Sequence, residues 1–510
     1  MKPNFIIVMT DQQRADLRKS RGFELDTMPF LDAFSEGGVD FESAYTPNPT
    51  CMPARVSMFT GRYPESHKVR TNFNARDAVY TEDLLDIFKK QGYKTALCGK
   101  NHTHHIPADF DFAKVNGHLG GEGEINSTPE EAEFAKFLSG TKHLESYVPS
   151  PGGVEVQFPY RNISNALEFI DTCKDSPFFL WISMAEPHNP WQVPEPYFDM
   201  FAPDKLPEIT GVEALGSKSE RFSWLRRVWE RISDDIDTRL GRMRSNYYGM
   251  LRLIDDQLRR LHSGLEEREL LENTYIIFLS DHGDFVGEYG LLRKGPELPH
   301  LLVNIPMVWR GPGIRQNIRE KACVNIVDIL PTICDILGED IPYGVQGKSI
   351  LPLLTGENIP DGEYDVAYSE SGYGGLRWTD DDTLDLPTEG ASPDYTAFDC
   401  LNTWTQCGKC RMVRRGDYKL QLDDLGEGYL YNITSDPLEL KNLWDDPEYA
   451  SIRSEMSTLL ATEMMRHYDT LPHPRRRYRV KTHPKGFIHQ KYSSDDCGIK
   501  EIVYFNRKKD

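Results

Sequence analysis

The sequence predicts an α/β fold: a mostly parallel sheet sandwiched by helices, followed by a smaller α+β subdomain containing an antiparallel sheet. Three observations carry this. Short apolar runs alternate with helical patterns through most of the chain. Those runs have almost no polar interruption, as strands buried on both faces do. Near residue 375 the pattern gives way to a stretch rich in Gly, Asp and Thr with no apolar period. In order, Phe5–Met9 reads as a strand, Tyr80–Gln91 as a helix stopped by Gly92, and Lys94–Cys98 as a strand ending at Gly99. Asn165–Lys174 is helical, Pro177–Met184 a strand, Ser245–Leu265 a long amphipathic helix and Thr274–Ser280 a strand. Leu302–Trp309 is a further apolar run before the turn Gly311-Pro312-Gly313, and Val327–Leu337 is helical. Beyond the break, Arg411–Leu422 and Gly428–Asn432 read as strands and Ile452–Tyr468 as a closing helix. The expected division is 1–375, 376–470 and a tail, 471–510, with eleven Lys or Arg against four Asp or Glu.

Composition narrows the function classes. The 510 residues carry 79 acidic against 59 basic side chains, a net charge of −20. A general nucleic-acid binder needs a basic surface to displace counterions, so nucleic acid is not an expected partner. An anionic substrate remains compatible, because a pocket can be basic inside an acidic protein. The apolar run near the N-terminus has five residues, too short for a signal peptide or a membrane span. The expectation is a cytoplasmic chain with no membrane partner, or a periplasmic or secreted one if a leader has been removed. Nine cysteines, an odd number, do not suggest a disulfide framework. Cys407 and Cys410, with Cys400 nearby, read as free thiols rather than a metal site.

Polar residues gather just after the apolar strands, where open α/β sheets place their sites. Asp11 and Gln12 follow the first strand, Lys100 and His102 the second, Glu186 and His188 the third, and Asp281, His282 and Asp284 the fourth. Asp11, Gln12, Asp281 and His282 offer two carboxylates, an amide oxygen and an imidazole. Such a set suits Ca²⁺, Mg²⁺ or Mn²⁺. Arg55, Lys100 and Lys294 add positive charge. A metal with several cations points to an anionic group such as sulfate or phosphate.

Thr50-Cys51-Met52-Pro53-Ala54-Arg55, with Thr60-Gly61-Arg62 after it, closely resembles the signature of type I sulfatases. Thr10-Asp11-Gln12-Gln13, Gly99-Lys100-Asn101-His102, Pro187-His188-Asn189-Pro190 and Ser280-Asp281-His282-Gly283-Asp284 match further motifs of that family, and Lys294 follows at the usual spacing. Asp328-Ile329-Leu330-Pro331-Thr332, Gly347-Lys348-Ser349 and Asp436-Pro437-Leu438-Glu439 are similar to its scaffold motifs, so the resemblance spans about residues 4–445. It implies an alkaline-phosphatase-like core and a sulfuric ester hydrolase cleaving aryl or carbohydrate sulfates. It also implies one divalent metal, Ca²⁺ by preference with Mn²⁺ or Mg²⁺ as alternatives, held by Asp11, Gln12, Cys51, Asp281 and His282. Cys51 would be converted to formylglycine, which makes a formylglycine-generating or anaerobic sulfatase-maturating enzyme an expected partner.

Under that resemblance one hydroxyl of the hydrated aldehyde attacks sulfur, and the other expels sulfate. Arg55, one helical turn from Cys51, would orient the diol. Lys100 and Lys294 would bind the sulfate oxygens. His188 would be the acid for the leaving oxygen and also touch substrate, and His102 the base. His104 and His105 read as pocket lining or surface, with a zinc cluster of the three histidines as the alternative. His67 is read either as approaching the site or as packing, and Trp181, Trp191 and Tyr197 either as stacking on a ring substrate or as core. The Asp11-Gln12 and Asp281-His282 pairs also resemble a subgroup that includes phosphonate monoester and phosphodiester hydrolases, the nearest rival. A non-catalytic anion- or glycan-binding protein on this scaffold is the rival from another class.

Overall fold

Alternation along three central strands decides which layer each residue joins. In β1 (Asn4–Asp11), Ile6 and Val8 face one side of the sheet while Phe5, Ile7 and Met9 face the other. The computed structural model describes residues 2–119, 128–174, 176–232, 235–372 and 408–468. With β2 (Val39–Tyr45), β3 (Lys94–Gly99), β4 (Phe112–Val115), β5 (Phe178–Pro187), β6 (Thr274–Ser280), β7 (Met307–Arg310) and β8 (Ile318–Asn325), β1 forms an eight-stranded sheet. Its order is β4-β3-β5-β1-β6-β7-β2-β8. Only β7 runs antiparallel to its neighbours, so the sheet is mostly parallel.

Helices cover both faces. Ile6, Val8, Leu180, Ile182, Ile276 and Phe278 pack with the helices Phe158–Cys173 and Ile236–Glu266. Phe5, Ile7, Trp181, Ile277 and Leu279 pack with Ala54, Met58 and Phe59 of the helix Cys51–Thr60 and with the helix Ile329–Leu337. The core is therefore two apolar layers divided by strands that are buried along their whole length.

A second, four-stranded antiparallel sheet is built from β9 (Val366–Ser371), β10 (Cys410–Arg415), β11 (Tyr418–Asp423) and β12 (Gly428–Asn432), in the order β12-β11-β10-β9. The helix Ala450–His467 closes it through Met456 and Leu460 against Val413, Leu420 and Leu430. A buried ion pair braces this unit from within: Lys419 Nζ of β11 lies 2.5 Å from Glu439, in the turn after β12. The turn that carries Glu439 also accepts Tyr289 Oη at Leu438 O, 2.7 Å, and Lys218 Nζ at Glu439 O, 2.6 Å.

Several expectations are corrected. The run Leu302–Trp309 is no single element: Pro306 separates the helical turn His300–Val303 from β7. Arg411–Leu422 is a hairpin, turned at Gly416-Asp417 with Gly416 at φ +58°. The helix expected from Tyr80 starts at Leu84, because Asp83 caps it by accepting from Leu85 N and Asp86 N, both 3.0 Å. β2, β4 and β8 were not legible as strands, and β9 lies ahead of the compositional break. The Gly-, Asp- and Thr-rich stretch after residue 373, Cys400, Cys407 and the basic tail lie outside the described residues. Among the described residues no helix is long and apolar enough to cross a membrane.

Gly99 ends β3 at φ +112°, and a Cβ there would stand 2.0 Å from Ser183 O of β5. Gly99→Ala is expected to cost about 3 kcal/mol or more, because two backbones must separate. Gly92→Ala, at φ +75° with open space around it, should cost only about 1–2 kcal/mol from left-handed strain. Urea denaturation of the two variants checks the difference; equal losses would show that the close approach does not matter.

Candidate active site

The order β3-β5-β1-β6 places four parallel strands side by side, so their C-terminal ends form one row. Lys100, His188, Asp11-Gln12 and Asp281-His282 stand on that row. Cys51 joins it from the first turn of the helix Cys51–Thr60. All of these side chains are buried.

Arg55 organises the centre. Its Nε donates to Asp281 Oδ2 at 2.8 Å, its Nη2 to Asp11 Oδ2 at 2.9 Å, and its Nη1 to Ser183 Oγ at 2.6 Å. Asp11 also takes a short hydrogen bond from Lys100 Nζ. Burial raises the pKa of Asp11, but Lys100 and Arg55 outweigh it and hold the carboxyl well below the usual range. Burial and the neighbouring Asp11 charge raise that of Asp281. The structure thus places Arg55 on the two carboxylates, as the cation that lets them lie together.

Cys51 Sγ lies 3.0 Å from Lys294 Nζ, 3.3 Å from His282 Nε2 and 3.5 Å from Asp11 Oδ1. Burial and Asp11 raise its pKa, yet Lys100, Lys294 and His282 bring the thiol down to about 6. His282 hydrogen-bonds Gly283 O through Nδ1 at 2.8 Å, which turns Nε2 toward the sulfur and the carboxylates; burial lowers the pKa of the ring, but Asp281 outweighs it and raises the imidazole above its ordinary value. Gln12 donates its amide NH₂ to Asp284, leaving Oε1 to face Lys294 Nζ at 3.3 Å. Asp284 is therefore a positioning residue for Gln12, in turn fixed by Val286 N at 2.6 Å. Donor atoms of Asp11, Cys51, Asp281 and His282 all lie within 4.8 Å of one another. Two carboxylates, an outward amide oxygen and an imidazole nitrogen fit a divalent cation.

On the other side of Lys100 the structure adds a residue that the sequence reading missed. His118, just beyond β4, accepts from Lys100 Nζ at 2.8 Å, and its ring stacks on His188 at 3.8 Å. No motif marks it; it enters only because β4 pairs with β3 and so joins the same row of strand ends. Burial holds both imidazoles well below their ordinary pKa, helped at His118 by the Lys100 charge and at His188 by His118 and Lys294. His188 Nδ1 is tied to Asn189 O at 2.7 Å, leaving Nε2 as the exchangeable nitrogen. His102 sits two residues past Lys100 in left-handed backbone, φ +45°.

His67, Trp181, Trp191 and Tyr197 resolve toward packing. His67 is buried and bonded to Ser57 Oγ at 2.9 Å. Trp181 and Trp191 are wholly buried, and Tyr197 Oη donates to Asp256. His104 and His105 both turn to Asp83. Cys410 is a buried free thiol in β10.

Residues 3–339 match the family model described as Sulfatase. The chain belongs to the sulfatase family. As such it is an enzyme of the sulfuric ester hydrolase class. Among its relatives, the arylsulfatase of Clostridium perfringens (strain 13 / Type A) is 28% identical over 502 residues, covering 91% of this chain and 95% of that protein. The N-acetylglucosamine-6-sulfatase of Homo sapiens is 25% identical, covering 88% and 82%. Similar solved structures include the phosphonate monoester hydrolase of Agrobacterium radiobacter, with TM-score 0.73, 22% identity and coverage of 91% and 96%. Another is a protein in complex with its substrate D-glucosamine-2-N,6-O-disulfate, with TM-score 0.69, 20% identity and coverage of 92% and 99%.

In this sulfatase, Arg55→Ala would leave Asp281 without its guanidinium and Asp11 with Lys100 alone, two buried carboxylates facing each other with nothing to bridge them. Loss of stability of about 3–5 kcal/mol is expected. Arg55→Lys should recover only part, since one ammonium cannot bridge both groups. Chemical denaturation measures this, and a neutral Arg55→Ala would refute the bridging role.

Proposed function

We propose that this sulfatase hydrolyses sulfate monoesters of the carbohydrate class through a formylglycine made from Cys51. The observation that carries the reading is the setting of Cys51: the first turn of the signature helix holds it against Lys294, His282 and Asp11 in one buried pocket. The saccharide class is supported by the glucosamine sulfatase among the relatives and the glucosamine disulfate in the structural neighbour. Maturation by a formylglycine-generating or anaerobic sulfatase-maturating enzyme is part of the proposal.

Asp11, Gln12, Asp281 and His282, with the side chain at 51, would hold one divalent ion, Ca²⁺ by preference with Mn²⁺ or Mg²⁺ as alternatives. When bound, such an ion polarises a sulfate oxygen and favours an ionised nucleophile. The hydrated aldehyde supplies one hydroxyl to attack sulfur and a second to expel sulfate. Lys100 and Lys294 bind sulfate oxygens and offset charge that builds as the ester S–O bond breaks. His188 delivers the proton that the departing alcohol needs, from Nε2, and His102 takes the proton of the second hydroxyl. The depressed pKa of His188 leaves it neutral in the free enzyme. An anionic ester offsets the surrounding cations, so proton uptake at Nε2 accompanies binding.

Mass spectrometry of the Cys51 peptide from the native host is expected to find the aldehyde or its hydrate; a wholly unmodified thiol would remove the nucleophile. Gln12 and His282 favour phosphonate monoester or phosphodiester hydrolysis as a second reading, which the fold of the Agrobacterium radiobacter enzyme accommodates. Matched aryl sulfates and aryl phosphonates separate the two. A higher kcat/KM for the sulfate is expected, and the reverse order would favour the second reading. His188→Ala should slow esters with poor leaving groups by roughly 10²–10⁴-fold and activated aryl esters far less, because only the former need the proton. Equal losses would contradict the acid role.

A further inference from the structure

We propose that Asp83, His104 and His105 form a second metal site, for a divalent transition ion and Zn²⁺ by preference. None of these residues takes part in the chemistry above. Asp83 Oδ2 lies 2.8 Å from His104 Nε2 and 2.7 Å from His105 Nε2. All three side chains are nine-tenths or more buried, at 0%, 5% and 8% exposure. Their ligand atoms fall within 4.8 Å of one another. Two imidazoles and one carboxylate suit zinc or a neighbouring transition metal better than the oxygen-preferring Ca²⁺ or Mg²⁺.

Proton counting separates this group from an ordinary hydrogen-bonded cluster. His105 presents Nε2 to Asp83 and Nδ1 to Asp109 Oδ2 at 3.4 Å. A neutral imidazole has one N–H and would turn a bare nitrogen on one of those two carboxylates. The ring therefore calls for positive charge, either a second proton or a metal ion. A metal at Nε2 leaves Nδ1–H to donate to Asp109, the carboxylate–histidine–metal arrangement that fixes ligand imidazoles. The 2.7 Å contact of His105 Nε2 also lacks hydrogen-bond geometry, which removes the simplest reason for so close an approach. His104 Nδ1 is buried with no hydrogen-bond partner.

The carboxylate is held from behind. Asp83 Oδ1 accepts Leu85 N and Asp86 N as the cap of the helix Leu84–Lys90, leaving Oδ2 for the histidines. The two imidazole rings lie 4.2 Å apart, with Phe59 against His105 at 4.9 Å and Tyr80 against His104 at 4.8 Å. At Zn–N lengths near 2.0–2.1 Å, tetrahedral ligand atoms stand about 3.3 Å apart. Ion entry thus asks these atoms to part by roughly half an ångström. A bound ion would staple the loop that begins at Lys100 to the start of that helix, and so steady a residue of the active pocket from outside it.

The test uses the full chain, stripped with chelator and titrated with zinc chloride against a colorimetric zinc indicator. The variants are Asp83→Asn, His105→Gln and, as a control for the catalytic centre, Cys51→Ala. Asparagine caps helices as well as aspartate does, so Asp83→Asn removes the ligand and keeps the cap. The wild type is expected to bind one more zinc equivalent than Asp83→Asn and His105→Gln, whose affinity at this site should fall about 100-fold or more, and Cys51→Ala should keep the equivalent that those two lose. Cobalt(II) should give a visible ligand-field band that those two variants lack. Equal zinc uptake by the wild type, Asp83→Asn and His105→Gln would overturn the proposal. The readout is metal content and spectrum, so it is independent of which ester the enzyme cleaves.

Discussion

The guanidinium of Arg55 is the constraint on which the pocket depends. Asp11 and Asp281 sit at the ends of two adjacent strands, and parallel pairing brings them together whether or not their charges agree. Two buried carboxylates at that spacing would repel strongly in a low-dielectric interior. Arg55 bridges them with separate nitrogens and spends its third on Ser183 of a further strand. One planar side chain thus fixes the relative positions of β1, β5 and β6. It also makes Cys51, one turn earlier on the same helix, a fixed point with respect to the same carboxylates. A flexible ammonium could neutralise one charge but not set this geometry.

Around that bridge, charge of opposite sign is laid out in shells. Lys100 and Lys294 reach in beside Arg55, with Asp284 behind Gln12 and His118 behind Lys100. The result is a buried cluster of three cations, Arg55, Lys100 and Lys294, set against Asp11, Asp281 and Asp284, inside a chain of net charge −20. Net charge speaks to the surface and to macromolecular partners, and the pocket has its own local potential. Steering at long range and binding at short range are therefore governed by charges of opposite sign in this molecule.

Much of the site was legible because it is written in short, local motifs. Asp11, Arg55, Lys100, His188, Asp281 and Lys294 each sit beside a strand end or in a spaced signature, and the structure brings them together. What was illegible depends on pairing between distant segments. His118 has no motif, and only the alignment of β4 on β3 brings it to Lys100. The Asp83 partnership with His104 and His105 spans two elements, and a local reading groups those histidines with His102 instead. The central strands could be read because burial on both faces leaves an unbroken apolar run. β2 and β8 could not, since Asp40 and Glu42 in the one and Arg319, Glu320 and Lys321 in the other interrupt the run. Lys419 and Glu439, each buried by the other, look like ordinary surface charges until the second sheet is assembled.

The position of β1 has a kinetic consequence. Of the eight strands of this sheet it is the first to be synthesised, yet in the finished sheet it lies between β5, some 170 residues later, and β6, some 270 residues later. Phe5–Met9 must therefore wait, apolar on both faces, with one edge unpaired until β5 exists and the other until β6 does. Contacts of such sequence separation slow folding, and exposed apolar edges invite association with other chains. A segment that ends wholly buried is thus exposed and vulnerable during its synthesis. Dependence on a chaperone would be set by the time needed to reach Ser280 rather than by the stability of the finished enzyme.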